Sequence, residues 1–532
     1  MLVVDVLAKH LLERGVRFAF GMPGGATVPL MAAFERVGIE FVLVRHEGSA
    51  GFMADAVFQR TGQLGVCVST LGPGASNLVS GVAQAFTERS KVLAIVAQCE
   101  DHLRPLYTHQ IIDQEAIFKP ICHGYHRLRV HKADRQLQKI FQQVDATDGP
   151  IVIEMSTSIA NAECERGELS SSPVFGNPSV ESLERSIRQS THPILIVGSE
   201  DLSLETTNAL RHFTQSTNVP VLTTYRAKGV LDETSSLSMG AIGLSPVVDD
   251  RQQEWIRTAD LLILVGFDMV EMRPNWLQGW TESATVVSVS KKGQPDIPAI
   301  LDVDWRGDIH VALTELAVEL NTWSSSWDMS ALQRHVQNVH TVFTDSTSYE
   351  GLNPATVIQH LQEELPADTV LCLDVGAHRI TASHVWKSSV PRTVLQSNGF
   401  SSMGVGLPMA ISVALHEPKS TVVSLTGDMG LWMSLGELGI IQERHLHVIV
   451  VYLSDSALSL IELKQERSST PKKVGVRFQN PEVVSLARSF GGHGVLCQTV
   501  EDISQAIVHA QKTSGLHLIE IQVEPRYYRT QM

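Results

Sequence analysis

At residues 421–428 the chain reads Thr421-Val422-Val423-Ser424-Leu425-Thr426-Gly427-Asp428, an apolar strand that ends in glycine and aspartate. A second apolar strand, residues 447–453, is followed by Asp455. Apolar residues at helical spacing lie between the two strands, so the stretch predicts a strand–helix–strand unit. Such a unit is right-handed and places its strands side by side and parallel, with their carboxyl ends at one edge of the sheet.

Two aspartates at that edge, beside a glycine, predict a magnesium ion that holds a diphosphate. Carboxylate oxygens are ligands that magnesium prefers, and glycine lets the backbone approach a phosphate. Taken alone, Asp428 is better explained as a helix start and Asp455 as a surface cap. Their occurrence at two matching strand ends favours the metal site.

The same rhythm of strand and helix recurs along the whole chain. Apolar strands about 25 residues apart fill the first 160 residues, a second block of this kind spans 193–265, and the first pattern returns from about 352. Because 532 residues are too many for one core, we predict an α/β fold of three doubly wound parallel-sheet domains. The first and third are predicted to be alike and the middle one distinct, with limits at 1–165, 180–325 and 350–532.

Composition excludes several classes of protein. The chain is 43% apolar and 19% charged, which is typical of a globular protein, and it has no apolar run long enough to span a membrane. Its start lacks the layout of a secretory signal, and its six cysteines are far apart with no disulfide or metal spacing, so a cytoplasmic location is expected. A net charge of −15 disfavours nucleic acid as a partner.

The first domain offers a candidate acid–base residue and two glycine-rich turns. Glu47 follows the strand 41–44 and precedes a helix start built of small residues. Burial raises the pKa of a carboxyl, so Glu47 could hold or pass a proton, although for Glu47 taken alone a glutamate favoured by the helix dipole is the better explanation. The turns at 21–25 and 70–77 fit neither the dinucleotide-binding nor the P-loop spacing, which argues against a dehydrogenase or an NTPase.

Over essentially its full length the chain resembles thiamine-diphosphate-dependent enzymes of the acetolactate synthase group. Gly427-Asp428 with Asp455 matches that family's diphosphate and magnesium motif, and Arg45-His46-Glu47 matches its histidine–glutamate pair. The resemblance implies a pyrimidine-binding domain first and a diphosphate-binding domain last. It also implies that a 2-oxo acid loses carbon dioxide and that the remaining fragment is joined to a second carbonyl compound. This would be a lyase and transferase activity, and it would need thiamine diphosphate and Mg²⁺.

The resemblance also implies roles for particular residues. Asp428 and Asp455 would be side-chain ligands of Mg²⁺, and Ala457 would add its backbone carbonyl. Glu47 would be the catalytic glutamate and Met403 the apolar wedge that bends the cofactor. Two residues of a substrate-side loop would also be catalytic, namely His109 and Gln110. The other implied cofactor-binding positions are Gly25, Pro73, Asn77, Gly376, His378, Ser401, Gly427, Met429, Ser456 and Leu458.

Implied partners follow from the same family. Glu47 would serve a cofactor held by the third domain of a second subunit, which implies an obligate homodimer and, beyond it, a homotetramer. The substrate would be a small 2-oxo acid, with no nucleic acid or membrane partner. FAD is not expected, because residues 266–274 resemble flavin-free relatives.

Three departures from the family pattern leave alternatives open. Met429 replaces a small residue and would either crowd the diphosphate or point into the helix packing, while Ser454 and Ala377 replace amides that contact the cofactor side. An inactive structural or regulatory paralogue is therefore one alternative. A non-ligating decarboxylase is another, although the chain lacks the adjacent histidine pair of that group. A specialised-metabolism carboligase with substrates other than pyruvate is the third.

Overall fold

The computed structural model describes residues 1–532 except residues 101, 104, 107, 131–132, 165–175, 274–275, 277–283, 293–300, 345–347 and 469–472. The predicted domain limit at 165 and the end of the segment 266–274 therefore lie outside the described residues. The described residues form three six-stranded sheets whose strand pairs are all parallel. The prediction of three parallel-sheet domains is confirmed.

The first sheet has the strand order β2-β1-β3-β4-β6-β5. Its two central strands are mostly apolar and fully buried, since helices cover both faces. The strands are β1 Phe18–Gly21, β2 Glu40–Leu43, β3 Gly65–Ser69, β4 Val92–Ala97, β5 Gly124–Arg127 and β6 Ile151–Met155. The helices are α1 Val3–Glu13, α2 Val28–Val37, α3 Glu47–Thr61, α4 Pro73–Thr87, α5 Gln114–Phe118, α6 Ala133–Ala146 and α7 Thr157–Ala160.

The middle sheet has the order β12-β11-β10-β7-β8-β9, so its first and fourth strands lie side by side at the centre. This is the order of the doubly wound dinucleotide-binding folds. Its strands are β7 Pro193–Val197, β8 Val221–Thr224, β9 Ser238–Ile242, β10 Leu261–Val265, β11 Thr285–Ser290 and β12 Val303–Arg306. The helices are α8 Glu181–Gln189, α9 Leu204–Thr217, α10 Pro246–Ile256, α11 Ile309–Glu319 and α12 Met329–Thr344.

The third sheet, β14-β13-β15-β16-β18-β17, repeats the order of the first sheet strand for strand. The first and third domains are therefore alike and the middle one differs, as predicted. The strands are β13 Val370–Leu373, β14 Val394–Leu395, β15 Val422–Gly427, β16 Val448–Ser454, β17 His493–Cys497 and β18 Leu516–Gln522. The helices are α13 Pro354–Glu364, α14 Ala377–Val385, α15 Gly406–His416, α16 Asp428–Ser434, α17 Leu438–Glu443, α18 Ser459–Glu466, α19 Val483–Ser489, α20 Val500–Lys512 and α21 Tyr528–Gln531.

Two features of this architecture position the site. Strands β15 and β16 are parallel neighbours with Gly427 opposite Leu453, so Asp428 and Asp455 follow adjacent strand ends. Helix α15 of the third domain packs on α3 of the first in one continuous apolar core, where the Ser412 hydroxyl donates to the Met53 carbonyl at 2.8 Å. In the described part of the chain, no helix has both the length and the apolar character needed to cross a membrane.

Candidate active site

Asp428 organises the turn that follows β16. Its Oδ2 accepts the amide of Asp455 at 3.1 Å and the amide of Ser456 at 2.8 Å. Its Oδ1 accepts from the side-chain amide of Asn480 at 2.8 Å, and that amide also contacts the Ser454 hydroxyl at 2.9 Å. Asn480 therefore brings an amide to the place where Ser454 departs from the family pattern.

Asp428 is buried and Asp455 is half-buried, and the charge of Asp428 acts on the carboxyl of Asp455. Burial, together with the neighbouring charge of Asp428, raises the pKa of Asp455 to about 7. Burial also raises the pKa of Asp428. A divalent cation relieves such a pair, and carboxylate oxygens suit Mg²⁺, so the donor set fits the implied metal. Within the described ranges no three His, Cys, Asp or Glu side chains group as a metal site, so further ligands would be backbone oxygens, water or the diphosphate.

A cavity of about 210 Å³ lies beside this pair. The implied positions that line it are Gly376, His378, Ser401, Met403, Gly427, Asp428, Met429, Asp455, Ala457 and Leu458. Met429, one of the departures from the family pattern, is among the residues that line the cavity. Ser456 instead contributes its backbone amide to Asp428. The structure thus brings the third-domain positions together in one place.

His378 has the properties of a donor to a phosphate oxygen. It is 4% exposed, and its Nε2 finds no hydrogen-bond partner among the described residues. Burial, and then the nearby Arg379, lowers its pKa to about 3, so the ring is neutral. Its imidazole lies so close to two glycines that a Cβ would fall 2.7 Å from the ring at Gly376 and 3.3 Å away at Gly427. The glycines leave the space that the imidazole occupies.

The segment that carries Met403 is held by Asp374, a fully buried carboxylate at the end of β13. Asp374 accepts the amides of Gly404 and Gly406, each at 3.0 Å. Gly404 has φ +83°, a conformation that favours glycine. Met403 itself is half-buried and projects into the cavity, the placement expected of an apolar wedge.

In the first domain, Glu47 is the first residue of α3 and is 4% exposed. The Asn77 side chain of α4 donates to its Oε2 at 3.0 Å. A Cβ at Gly74 would lie 3.0 Å from its Oε1, so α4 presents a bare backbone to the carboxylate. The turn before Glu47 is closed by His46, whose Nδ1 accepts the amide of Gly48 at 3.1 Å.

The two glycine-rich turns lie next to this carboxylate. A Cβ at Gly24 would be 2.4 Å from the Thr70 hydroxyl, so the turn that leads to Gly25 packs on the second turn. Pro73 is the first residue of α4, preceded by Gly72 at φ +60°, where a Cβ would fall 2.3 Å from the carbonyl of Gln110. Gln110 therefore lies beside the second turn, with the exposed His109 preceding it.

The implied residues thus form two separate groups within one chain. Among the described residues, those that line the cavity all lie between 375 and 528, whereas the Glu47 group spans 24–110. Among the described residues that line the cavity Glu47 does not occur, although the resemblance implies that it acts at the cofactor.

Three residues of the site escaped the sequence analysis. Asp374 follows an apolar strand, so the argument used for Asp428 could have found it. Asn480 and Tyr528 carry no local signal, because each reaches the site through a long excursion of the chain. Tyr528 is 3% exposed and forms part of the cavity wall.

Comparison with known proteins identifies the class. Family models match residues 1–117 (thiamine pyrophosphate enzyme, N-terminal TPP binding domain), 180–316 (the central domain) and 374–521 (the C-terminal TPP binding domain). These three matches follow one another over most of the chain, and the chain belongs to the thiamine-diphosphate-dependent enzymes. The Glu47 group and the cavity lie in the two domains that are named for binding the cofactor.

Individual relatives narrow the class to enzymes like acetolactate synthase. The chain is 25% identical to a probable acetolactate synthase large subunit from Methanococcus aeolicus, over 98% of this chain and 92% of the relative. It is 26% identical to an acetolactate synthase from Bacillus subtilis (98% and 93% covered). It is also 26% identical to the acetolactate synthase isozyme 3 large subunit from Escherichia coli (92% and 89% covered).

Proposed function

We propose that the chain is a Mg²⁺- and thiamine-diphosphate-dependent carboligase that decarboxylates a small 2-oxo acid and joins the remaining fragment to a second carbonyl compound. The observation that carries this proposal is the pair Asp428 and Asp455 at a cavity that His378 and Met403 also line. The names of the relatives support carboligation over simple decarboxylation.

Third-domain residues would bind and orient the cofactor. Asp428, Asp455 and the carbonyl of Ala457 would hold Mg²⁺, and the Nε2 of His378 would donate to a diphosphate oxygen. Met403, fixed through Asp374, would keep the cofactor bent. When bound, thiamine diphosphate supplies the electron sink for loss of carbon dioxide.

Glu47 would supply the proton chemistry of this chain. Because Asn77 occupies its Oε2, the Oε1 facing Gly74 is the atom at which Glu47 would hold a proton against the cofactor's pyrimidine ring. His109 and Gln110 would stand on the substrate side. The remaining implied positions, Gly25, Pro73 and Asn77, would shape the pyrimidine side of the pocket.

The separation of the Glu47 group from the cavity supports a homodimer. Glu47 of one subunit would complete the site whose cavity belongs to the third domain of its partner. Pairing of such dimers would give a homotetramer. In this assembly we place the domain limits at 1–165, 180–325 and 350–532.

The proposal is tested by incubating purified protein with thiamine diphosphate, Mg²⁺ and a panel of 2-oxo acids, alone and with aldehyde or 2-oxo acid acceptors. Carbon dioxide release with a product of combined mass identifies a carboligase, and release with an aldehyde alone identifies a decarboxylase. A protein that binds neither cofactor nor metal and releases no gas would be a structural subunit. Glu47→Gln should lower turnover by about 10²-fold or more, whereas full turnover in this variant would disprove its role.

A further inference from the structure

Glu437 reaches from the third domain to the turn that carries Glu47. It lies in the single turn of 3-10 helix, Leu435–Glu437, that joins α16 to α17, and it is 1% exposed. Both of its carboxylate oxygens accept the backbone amide of Arg45 at 3.1 Å, and Oε1 also accepts the amide of His46 at 3.1 Å. The amides of the two residues before Glu47 are therefore bound by one side chain.

Burying the charged carboxylate of Glu437 is unfavourable, and hydrogen bonds from the turn before and at the start of α3 offset that desolvation. Burial raises the pKa of Glu437, and the Arg45 amide, the Ser49 hydroxyl and the His46 amide oppose that rise. Amides ahead of a helix have no partner inside the helix, so a carboxylate that binds them fixes where α3 begins. Here the carboxylate comes from another domain.

Two further contacts join the turn before α3 to the segment 435–443, and neither of them involves the backbone amides of Arg45 and His46. The Arg45 guanidinium pairs with Glu443 at the surface, where 56% of the Glu443 side chain is exposed. The Arg45 side chain also lies across two glycines, since a Cβ at Gly436 would be 3.1 Å from its Cβ and one at Gly439 would be 3.2 Å from its Nη2. Glu443 therefore offers a matched carboxylate on the same helical segment.

We infer that Glu437 is a positioning residue for the catalytic carboxyl of Glu47, an inference that rests on the proposed function. Asn77 holds the Glu47 side chain from within the first domain, and Glu437 holds its main chain from the third. Asp428, a ligand of one site, begins the helix that leads to Glu437. In the proposed dimer, this short stretch of chain ties the metal side of one active site to the catalytic carboxyl of the other.

The contact itself can be tested in the cofactor-free protein by hydrogen–deuterium exchange of a peptide that covers residues 44–49. Glu437→Gln keeps the shape of the side chain and replaces one accepting oxygen with an amide group that cannot accept. Exchange of the Arg45 and His46 amides should become about tenfold faster. The control Glu443→Gln should change that exchange less than about twofold, because its ion pair is exposed. Unchanged exchange in E437Q overturns the inference.

The functional consequence is read from the loaded enzyme with the 2-oxo acid that the panel identifies. Positioning predicts that E437Q lowers kcat about tenfold, while KM, the Kd of thiamine diphosphate and the thermal midpoint stay close to wild type. A parallel loss of cofactor affinity and thermal midpoint would mean a merely structural role, and an unchanged kcat would also overturn the inference. If E437Q does not fold, Ser49→Ala removes one donor to the same carboxylate and takes the same readouts. Normal turnover in Glu47→Gln would instead disprove the proposed function.

Discussion

Gly51 and Gly81 allow α3 and α4 to cross with their backbones in contact, and this crossing fixes Glu47 against Asn77. A Cβ added at Gly81 would lie 2.5 Å from the Cα of Gly51 and 3.0 Å from the carbonyl oxygen of Gly48. Both neighbours are backbone atoms, so neither can turn aside. Gly81→Ala therefore tests directly whether the packing of α3 on α4 controls the position of Glu47.

Its magnitude follows from these distances. Non-bonded carbons rest about 3.5–4.0 Å apart, so the methyl group requires the helices to separate by about 1 Å or more. Overpacking of this kind costs about 1–3 kcal/mol, while alanine returns roughly 0.5–1 kcal/mol of helix propensity over glycine. Asn77 lies one turn before Gly81 and Glu47 one turn before Gly51, so the 3.0 Å Asn77–Glu47 bond lengthens with the crossing. A displacement near 1 Å at a catalytic group costs up to about 10²-fold in rate.

We therefore expect Gly81→Ala to reduce stability only modestly but to reduce kcat strongly. The thermal midpoint should fall by about 2–6 °C, and kcat should fall at least about tenfold with cofactor affinity nearly unchanged. Gly176→Ala is the matched control, since its methyl meets nothing within 4 Å, and it should behave as wild type. If Gly81→Ala keeps full kcat, the helix crossing does not set the geometry of Glu47 and the reasoning is wrong.

Two further predictions follow from buried groups of the third domain. Asp374→Ala leaves the amides of Gly404 and Gly406 without an acceptor, so a calorimetric titration should show about tenfold weaker binding of thiamine diphosphate. The affinity of Asp374→Asn for thiamine diphosphate should lie between those of Asp374→Ala and the wild type. Equal affinity in all three proteins would contradict the role of Asp374 in holding the segment that carries Met403. Burial, and the nearby His447, His493 and His509, lower the pKa of His517 to about 4, so the folded state binds this proton less readily than the unfolded state. Stability from this group is complete above about pH 6.5 and is lost as the pH falls towards 4, so the thermal midpoint should drop across that window and drop less in His517→Gln.

The sequence was sufficient to predict the frame of the site, because the frame depends on local pattern. Gly427-Asp428 follows one apolar strand and Asp455 follows the next, and this pattern predicted both the pairing of β15 with β16 and the edge of the sheet at which the two aspartates lie. The return of the first pattern after about residue 352 likewise predicted that the first and third domains are alike, and the structure adds that their strand orders are identical.

The supporting contacts could not be predicted in this way. Asn480 reaches Asp428 from 52 residues away along the chain, and Glu437 reaches Arg45 from 392 residues away. Such contacts depend on how domains and loops pack, and a glutamate inside a helical stretch has no sequence pattern that distinguishes a buried clamp from a solvated surface residue. Only the structure shows that Glu437 is buried.

The packing of the first domain on the third explains why the Glu47 group and the cavity stay apart within one chain. Helix α3, which begins with Glu47, is held against α15 by an apolar core and by the bond from Ser412 to Met53, while Glu437 binds the turn before Glu47. Moving Glu47 towards the cavity of its own chain would expose that core and leave the buried carboxylate of Glu437 without its donors, and both changes are unfavourable. In the proposed homodimer, a second copy of the chain would bring its own Glu47 to the cavity without either change. If the proposed homodimer forms, the contacts that join the first domain to the third within each chain are also those that make its active site depend on a partner.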